Sequence, residues 1–294
     1  EGDDPTDPND GFGTSARGLW GGLIVLGEGV LGDRTSEVVV EGLPEMEARA
    51  LYGGNDDEDN SGVIRYVSIR HGGAALAPGN EINGLTLGAV GSKTTIEFVE
   101  VFANFDDGIE WFGGTVSVKY AAVSFCGDDS YDYDTGWRGN GQFWFSLQAG
   151  NTGDNAGEHD GAKPDDNARF SQPDIYNATY IGGGTNGTGK NEHVLLFRDG
   201  TGGTYANSIF TDFTNFAIQV EDLPAGSGLD SRQRMENGEL VVKNNIWFGF
   251  GEGSELNAGT NGIIQVTKDD DDVVIAEDPT AQFLIDHLGS NGNT

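Results

Sequence analysis

Two unrelated kinds of residue return after the same interval. Phe98 and Tyr120 lie 22 residues apart in short apolar strands, and the acidic pairs Asp106-Asp107 and Asp128-Asp129 lie 22 residues apart in the turns that follow. An interval shared by a strand feature and a turn feature marks a stacked repeat. The strand signature is period-two alternation, as in Gly62-VIRYVSIRHGG, Thr95-IEFVEVFANFDDG, Val116-SVKYAAVSFCGDD and Leu240-VVKNNIWFGFG, each closed by Gly, Asn or Asp. A second set of short strands follows these turns: Glu81-INGLTLG, Gly108-IEWFGG, Ser130-YDYDTG, His193-VLLFRDG and Phe216-AIQVED.

Strand, turn, strand, turn at this interval predicts an all-β right-handed parallel β-helix. Tyr66 and Phe98 are 32 residues apart, so some coils carry inserted loops. A β-sandwich would not repeat an acidic pair at one-coil spacing, and a propeller repeats at about 40–45 residues. The organisation expected is a polar N-terminal loop over 1–15, the solenoid over 16–268, and an acidic loop, short capping helix and tail over 269–294. The helix is signalled by Asp278 as N-cap, Pro279 at the first helical position and a closing Gly289.

Composition narrows the partners. Sixteen Lys+Arg face 48 Asp+Glu, a formal net charge of −32. A phosphate backbone or an anionic membrane surface needs a basic footprint, which argues against both. No apolar stretch approaches the ~18 residues of a membrane span. A single cysteine, Cys126, rules out an internal disulfide framework.

The acidic turns are where chemistry is expected. Equivalent residues of successive coils sit about 4.8 Å apart, and carboxylates stacked at that distance repel. Either a cation sits among them or one keeps a proton. The first outcome makes Asp106, Asp107, Asp128, Asp129, Asp132 and Asp160 calcium ligands, with Asp160 in a third acidic turn, Glu158-His159-Asp160-Gly161. The second makes Asp107, Asp128 and Asp129 an acid/base set suited to glycoside chemistry. Solvated turn-capping aspartates are the bland alternative. Trp137, in a turn, with Tyr133, Arg138 and Lys163 forms the candidate carbohydrate-binding set: aromatic faces for sugar rings and cations for an acidic sugar. The four histidines lack zinc spacing, and only His159 stands between two acids.

Several strings resemble a family of secreted bacterial surface β-helix proteins, uncharacterised in activity, some labelled lipoprotein or multidrug transporter. They include Ala16-RGLWGGLIVLG, Tyr66-VSIRHGG, Thr95-IEFVEVFANFDDGIEWFGGTV, Val118-KYAAVSFCGDDSYDYDTGWRG and Asn244-NIWFGFG. The resemblance runs from about Ala16 to Phe250. It implies secretion and a pectate-lyase-like solenoid, and carries no activity with it. A looser resemblance, through Gly127-Asp128-Asp129, is to polygalacturonase-type hydrolases, but their companion Gly-His-Gly and Arg-Ile-Lys strings are missing. The expectation is a noncatalytic extracellular or cell-surface β-helix. It is calcium-stabilised, and its partner is itself, as homo-oligomer or filament, or an extracellular polysaccharide. The alternatives are a hydrolase or lyase on anionic glycans and a non-hydrolytic carbohydrate-binding protein.

Overall fold

Along strand Thr95–Phe102 the apolar residues Ile96, Val99 and Val101 turn inward and Glu97 and Glu100 outward. The step from Ile96 to Val99 is three residues because Phe98 takes left-handed backbone, φ 55°, and bends the strand. The same bend recurs in every coil of this sheet in the computed structural model, which describes residues 11–32, 37–40, 43–44, 46–76, 81–190, 192–267 and 273–294. The expected polar loop over 1–10 and the acidic run Asp269–Asp272 lie outside the described residues.

Strands pair in parallel, each with its counterpart one coil on, and build a parallel β-helix. Among the described residues, sheet I stacks Leu23–Leu26, Leu85–Gly88, Ile109–Phe112, Tyr131–Asp134, Gly157–Asp160, His193–Arg198 and Phe216–Val220. Sheet II begins with Val63–Arg70, Thr95–Phe102, Val118–Ser124 and Asn140–Leu147. Beyond these, each rung splits into two short strands at the bend, ending with Leu240–Lys243 and Ile246–Phe250. Arg65 aligns with Glu97, Lys119, Gln142, Tyr176, Ala206 and Lys243, giving coils of 32, 22, 23, 34, 30 and 37 residues. The 22-residue interval is thus one coil, and the longer intervals are coils with inserted loops.

The bend column reads Tyr66, Phe98, Tyr120, Phe143, Asn177, Asn207, Asn244, with φ between 54° and 62° throughout. Left-handed backbone costs an ordinary L-residue about 1–2 kcal/mol, and Asn tolerates it best because its short amide can bond locally. The aromatic members offset that cost by stacking in sequence, with centroids 4.8, 4.5 and 5.2 Å apart, each pair contributing about 0.5–1.5 kcal/mol.

Between the sheets lies an aromatic core. Trp111 stacks on Trp137 at 4.7 Å and on Trp144 at 5.1 Å, and Tyr131 stacks on Trp144 at 4.5 Å. Outside sheet I, the antiparallel pair Val38–Val39 and Leu51–Tyr52 forms a small apolar patch with Leu31 and Ala50 against Ala89 and Phe112.

Among the described residues, two α-helices accompany the solenoid. α1 (Ser231–Glu236), which sequence pattern did not reveal, is capped by Asp230 accepting from the Gln233 amide at 2.9 Å. α2 (Gln282–Ser290) starts later than the sequence signal suggests. Asp278 does cap, accepting from the amides of Thr280 (3.0 Å) and Gln282 (2.8 Å), but Ala281 takes left-handed backbone and delays the helix. α2 buries Leu284 and Leu288 against the last coil. The tail then bonds the final rung directly: the Trp247 amide donates to Thr294 O and the Asn244 amide to Asn291 O, both at 2.8 Å.

If the bend column holds left-handed backbone, Asn207→Val should lower unfolding free energy by about 1–2 kcal/mol, read as a drop in the urea midpoint. An unchanged midpoint would show that the bend does not constrain this residue.

Candidate functional site

Where sheet II hands over to sheet I, the chain must pass close beneath the next coil. A Cβ on Gly108 would lie 2.3 Å from Val123 Cγ1 and 2.6 Å from Ser130 O, so the Asp-Asp-Gly turn needs glycine at its third position. That corner fixes the two residues before it. The register Ile109–Tyr131–Gly157 places Asp106, Asp128 and Asp154 in one column and Asp107, Asp129 and Asn155 in the next. The second column is tied rung to rung. Asp107 Oδ1 accepts from the Asp129 amide at 2.9 Å, Asp129 Oδ1 accepts from the Asn155 amide, and Asn155 Oδ1 meets His193 Nδ1 at 3.1 Å. One turn further along sheet I, Glu110, Asp132 and Glu158 align on its outer face.

The result is a continuous band of carboxylates. Among the described residues, three overlapping triads have ligand oxygens within 4.8 Å of one another: Asp106/Asp107/Asp128, Asp107/Glu110/Asp132 and Asp128/Asp129/Asp154. Asp107 and Asp129 are 8% and 4% exposed. Asp132 Oδ1 and Asp154 Oδ1 are buried and accept no hydrogen bond. Burial first, then the neighbouring carboxylates, pushes Asp107, Asp129 and Asp132 well above the usual aspartate range. Two cations sit at the edges of the band. Lys190 Nζ lies 2.8 Å from Asp154 Oδ2 and 3.5 Å from Asp128 Oδ1. Arg198 holds Asp160 through Nε at 2.7 Å and also bonds Glu158.

Along the band runs a groove. A cavity of about 510 Å³ is lined by Arg17, Phe105, Asp106, Asp128, Thr152 and Lys190, among others. A second, of about 300 Å³, shares Glu81, Asp106 and Asp128 and continues past Asn83, Asp107 and Glu110 to Val40 of the apolar patch.

Of the expected cation ligands, the fold brings together Asp106, Asp107, Asp128, Asp129 and Asp132. Asp160 is separated from them. Glu158 to Asp160 is not a turn but part of strand Gly157–Asp160, and Arg198 neutralises Asp160 there. The true third-coil turn is Asp154-Asn155. It escapes a 22-residue search because the register from Tyr131 to Gly157 spans 26 residues. Glu110 was legible: it follows Asp107 by three residues, as Asp132 follows Asp129.

The expected sugar-binding set does not assemble. Trp137 is 0% exposed, because Gly136 at φ 83° precedes it and the ring turns into the core, where Nε1 donates to Val116 O at 3.0 Å. Tyr133 is buried against His159, their rings 4.2 Å apart. Burial pushes His159 down to about 3, a neutral core ring rather than a site residue. Arg138 pairs with Asp57 at 3.3 Å and Lys163 with Asp199 at 3.1 Å. Neither lines the groove. The cations that do, Arg17 and Lys190, come from segments with no acidic repeat to draw attention to them.

Asp107, Asp129 and Asp132 hold protons more tightly folded than unfolded, so protonation favours the fold. That contribution is complete below about pH 4 and is lost as pH rises through the raised values. In chelator, the melting temperature should therefore fall between pH 5 and pH 8. A higher value at pH 8 would contradict the assignment.

The chain matches the family described as pectate-lyase like beta helix domain over residues 11–279, and it belongs to that family. No curated protein and no solved structure matches it. No helix among the described residues is long and apolar enough to cross a membrane.

Proposed function

We propose that the protein is a noncatalytic extracellular β-helix scaffold whose carboxylate band holds calcium. The observation that carries this reading is the set of overlapping triads, two of which contain a buried aspartate oxygen with no partner, Asp132 Oδ1 and Asp154 Oδ1. A buried acceptor left unsatisfied costs about 1–3 kcal/mol, more when charged. A hard divalent cation takes six to eight oxygens and satisfies several carboxylates at once. Asp107, Asp132 and Asp106, with Glu110 and Asp128, would supply the protein ligands; Lys190 already supplies positive charge at Asp128 and Asp154. The calcium would let these carboxylates ionise without mutual repulsion and so pin successive coils together. Weak acidic sites of this kind fill at the roughly 10⁻⁴–10⁻³ M calcium of extracellular modules, in keeping with the family resemblance to secreted surface proteins. A stiff, acidic rod of this sort serves adhesion or a surface layer, with itself or an extracellular polysaccharide as partner.

Chelation is the direct test. With calcium ~100-fold above its Kd, loss of the ion removes about 2.7 kcal/mol, about 5–10 °C in melting temperature for a chain of this size. Asp132→Asn should abolish most of that difference. Equal melting temperatures with calcium and with excess chelator would remove calcium from the proposal.

A second reading has one specific observation in its favour. Arg17 and Lys190 flank Asp106 and Asp128 in the same groove, the charge pattern an anionic glycan would meet. A polysaccharide-degrading enzyme would use Asp128, with the proton-retaining Asp107 or Asp129 as acid. Reducing ends or unsaturated products released from pectin or alginate, and lost in Asp128→Asn, would establish it. The scaffold reading expects no product.

A further inference from the structure

The two outer faces of the solenoid differ in kind. Outward positions of sheet I carry Glu110, Asp132, Asp134, Glu158 and Asp160. On sheet II, the strand segments beyond the bend give two outward register positions per rung; on four successive rungs all eight are uncharged, with Thr211 covered and the Asp212 carboxylate beside it at the margin. The large exposed ones are Phe145, Ile209, Ile246 and Phe248, with Leu147 and Ile181 half-buried between them. Ile246 is 46% and Phe248 52% exposed. Eight neutral positions in a row stand out on a chain with 48 acidic residues. Nothing about a parallel sheet requires them, because the inward residues of the same strands already form the core. Contiguous apolar surface of this kind marks a contact.

We infer that this face of sheet II is the contact between two copies of the chain, packed sheet on sheet about a two-fold axis. Three observations favour a second copy over another occupant. Two molecules of net charge −32 repel wherever acidic surface meets acidic surface, and this face is where they can meet with Asp212 at the margin as its one carboxylate. An isologous contact needs one self-complementary patch, and an uncharged strip of Phe, Ile, Leu and Thr is self-complementary. Both copies also carry side chains at the same rung spacing of about 4.8 Å, so the two rows interdigitate in aligned face-to-face packing. A stacked sugar chain would need free aromatic faces. The neighbouring bend column offers few, since the rings of Phe98 and Tyr120 cover one another. Four rungs fall short of the ~800 Å² per partner of a standard interface, so the dimer is weak and opposed by the charge of the remaining surface. Salt therefore strengthens it by screening that repulsion.

The inference names the face for the self-association expected of the scaffold. It uses none of the residues of the carboxylate band, so each can fail alone. Sedimentation equilibrium on the whole chain from about 10 to 500 µM tests it. The expected result is a monomer–dimer equilibrium that tightens at least tenfold from 20 to 500 mM NaCl and persists in chelator. Phe145→Glu with Ile246→Glu, three rungs apart so that the two new carboxylates do not stack, should leave a monomer under all conditions with the circular dichroism of the folded chain retained. A wild type that stays monomeric at 500 µM in high salt would overturn the inference, as would a double variant that still dimerises. A dimer that dissolves in chelator while ignoring the two substitutions assigns the contact to the carboxylate band instead. A monomer retained on crystalline cellulose through Phe145 and Phe248 assigns the face to a glycan.

Discussion

Every feature of this molecule depends on parallel register between one coil and the next. Because Ile109 pairs with Tyr131 and Tyr131 with Gly157, whatever stands at one position of a coil is brought within van der Waals or Coulomb reach of its counterpart. Like is stacked on like. For apolar and aromatic residues this is favourable, and the bend-column rings of Tyr66, Phe98, Tyr120 and Phe143 use it. For carboxylates it is unfavourable, and burial makes it worse. A solenoid that repeats an acidic pair must therefore answer the repulsion it creates. Here the answer takes three forms: backbone amides donated to Asp107 and Asp129, tethered cations from Lys190 and Arg198, and a raised proton affinity at the buried aspartates of the band. The proposed calcium replaces the third.

What was legible in the sequence follows from this. The coil interval was visible wherever the coil had no insertion, since both Phe98/Tyr120 and Asp106/Asp128 then obey it. One insertion was enough to hide Asp154, and it made Glu158-His159-Asp160 look like the next turn. Alternation also cannot assign residues that sit in turns. Trp137 follows a left-handed glycine, and nothing in the local pattern says which way its ring will go. The shared conformation of Phe98 and Asn207 was equally hidden. Asn announces a left-handed bend, while an aromatic residue argues against one until stacking with its neighbours is counted.

The division of surface between the sheets is a separate design. The outer face of sheet I gathers acidic residues beside a groove, with a small apolar patch at one margin. On its last four described rungs, the outward register positions of sheet II beyond the bend carry no charge. A core shared by both sheets allows each outer face to vary independently, because alternation separates inward from outward positions at every residue. Function can accumulate on one side of such a molecule without disturbing the other.

The ends of the stack are unequal. The last rung is bonded through α2 and the terminal residues, with Trp247 and Asn244 both donating to the tail. Among the described residues, strand Val63–Arg70 has a neighbouring strand on one side only, and its Tyr66 ring is 78% exposed. A one-dimensional array loses rungs from the end where each departure breaks fewest contacts. Opening therefore has a direction. Among the described residues, fraying under heat or pulling force would begin at Val63–Arg70, and the next rung of sheet II, Thr95–Phe102, already leads into Asp106 and Asp107 of the carboxylate band.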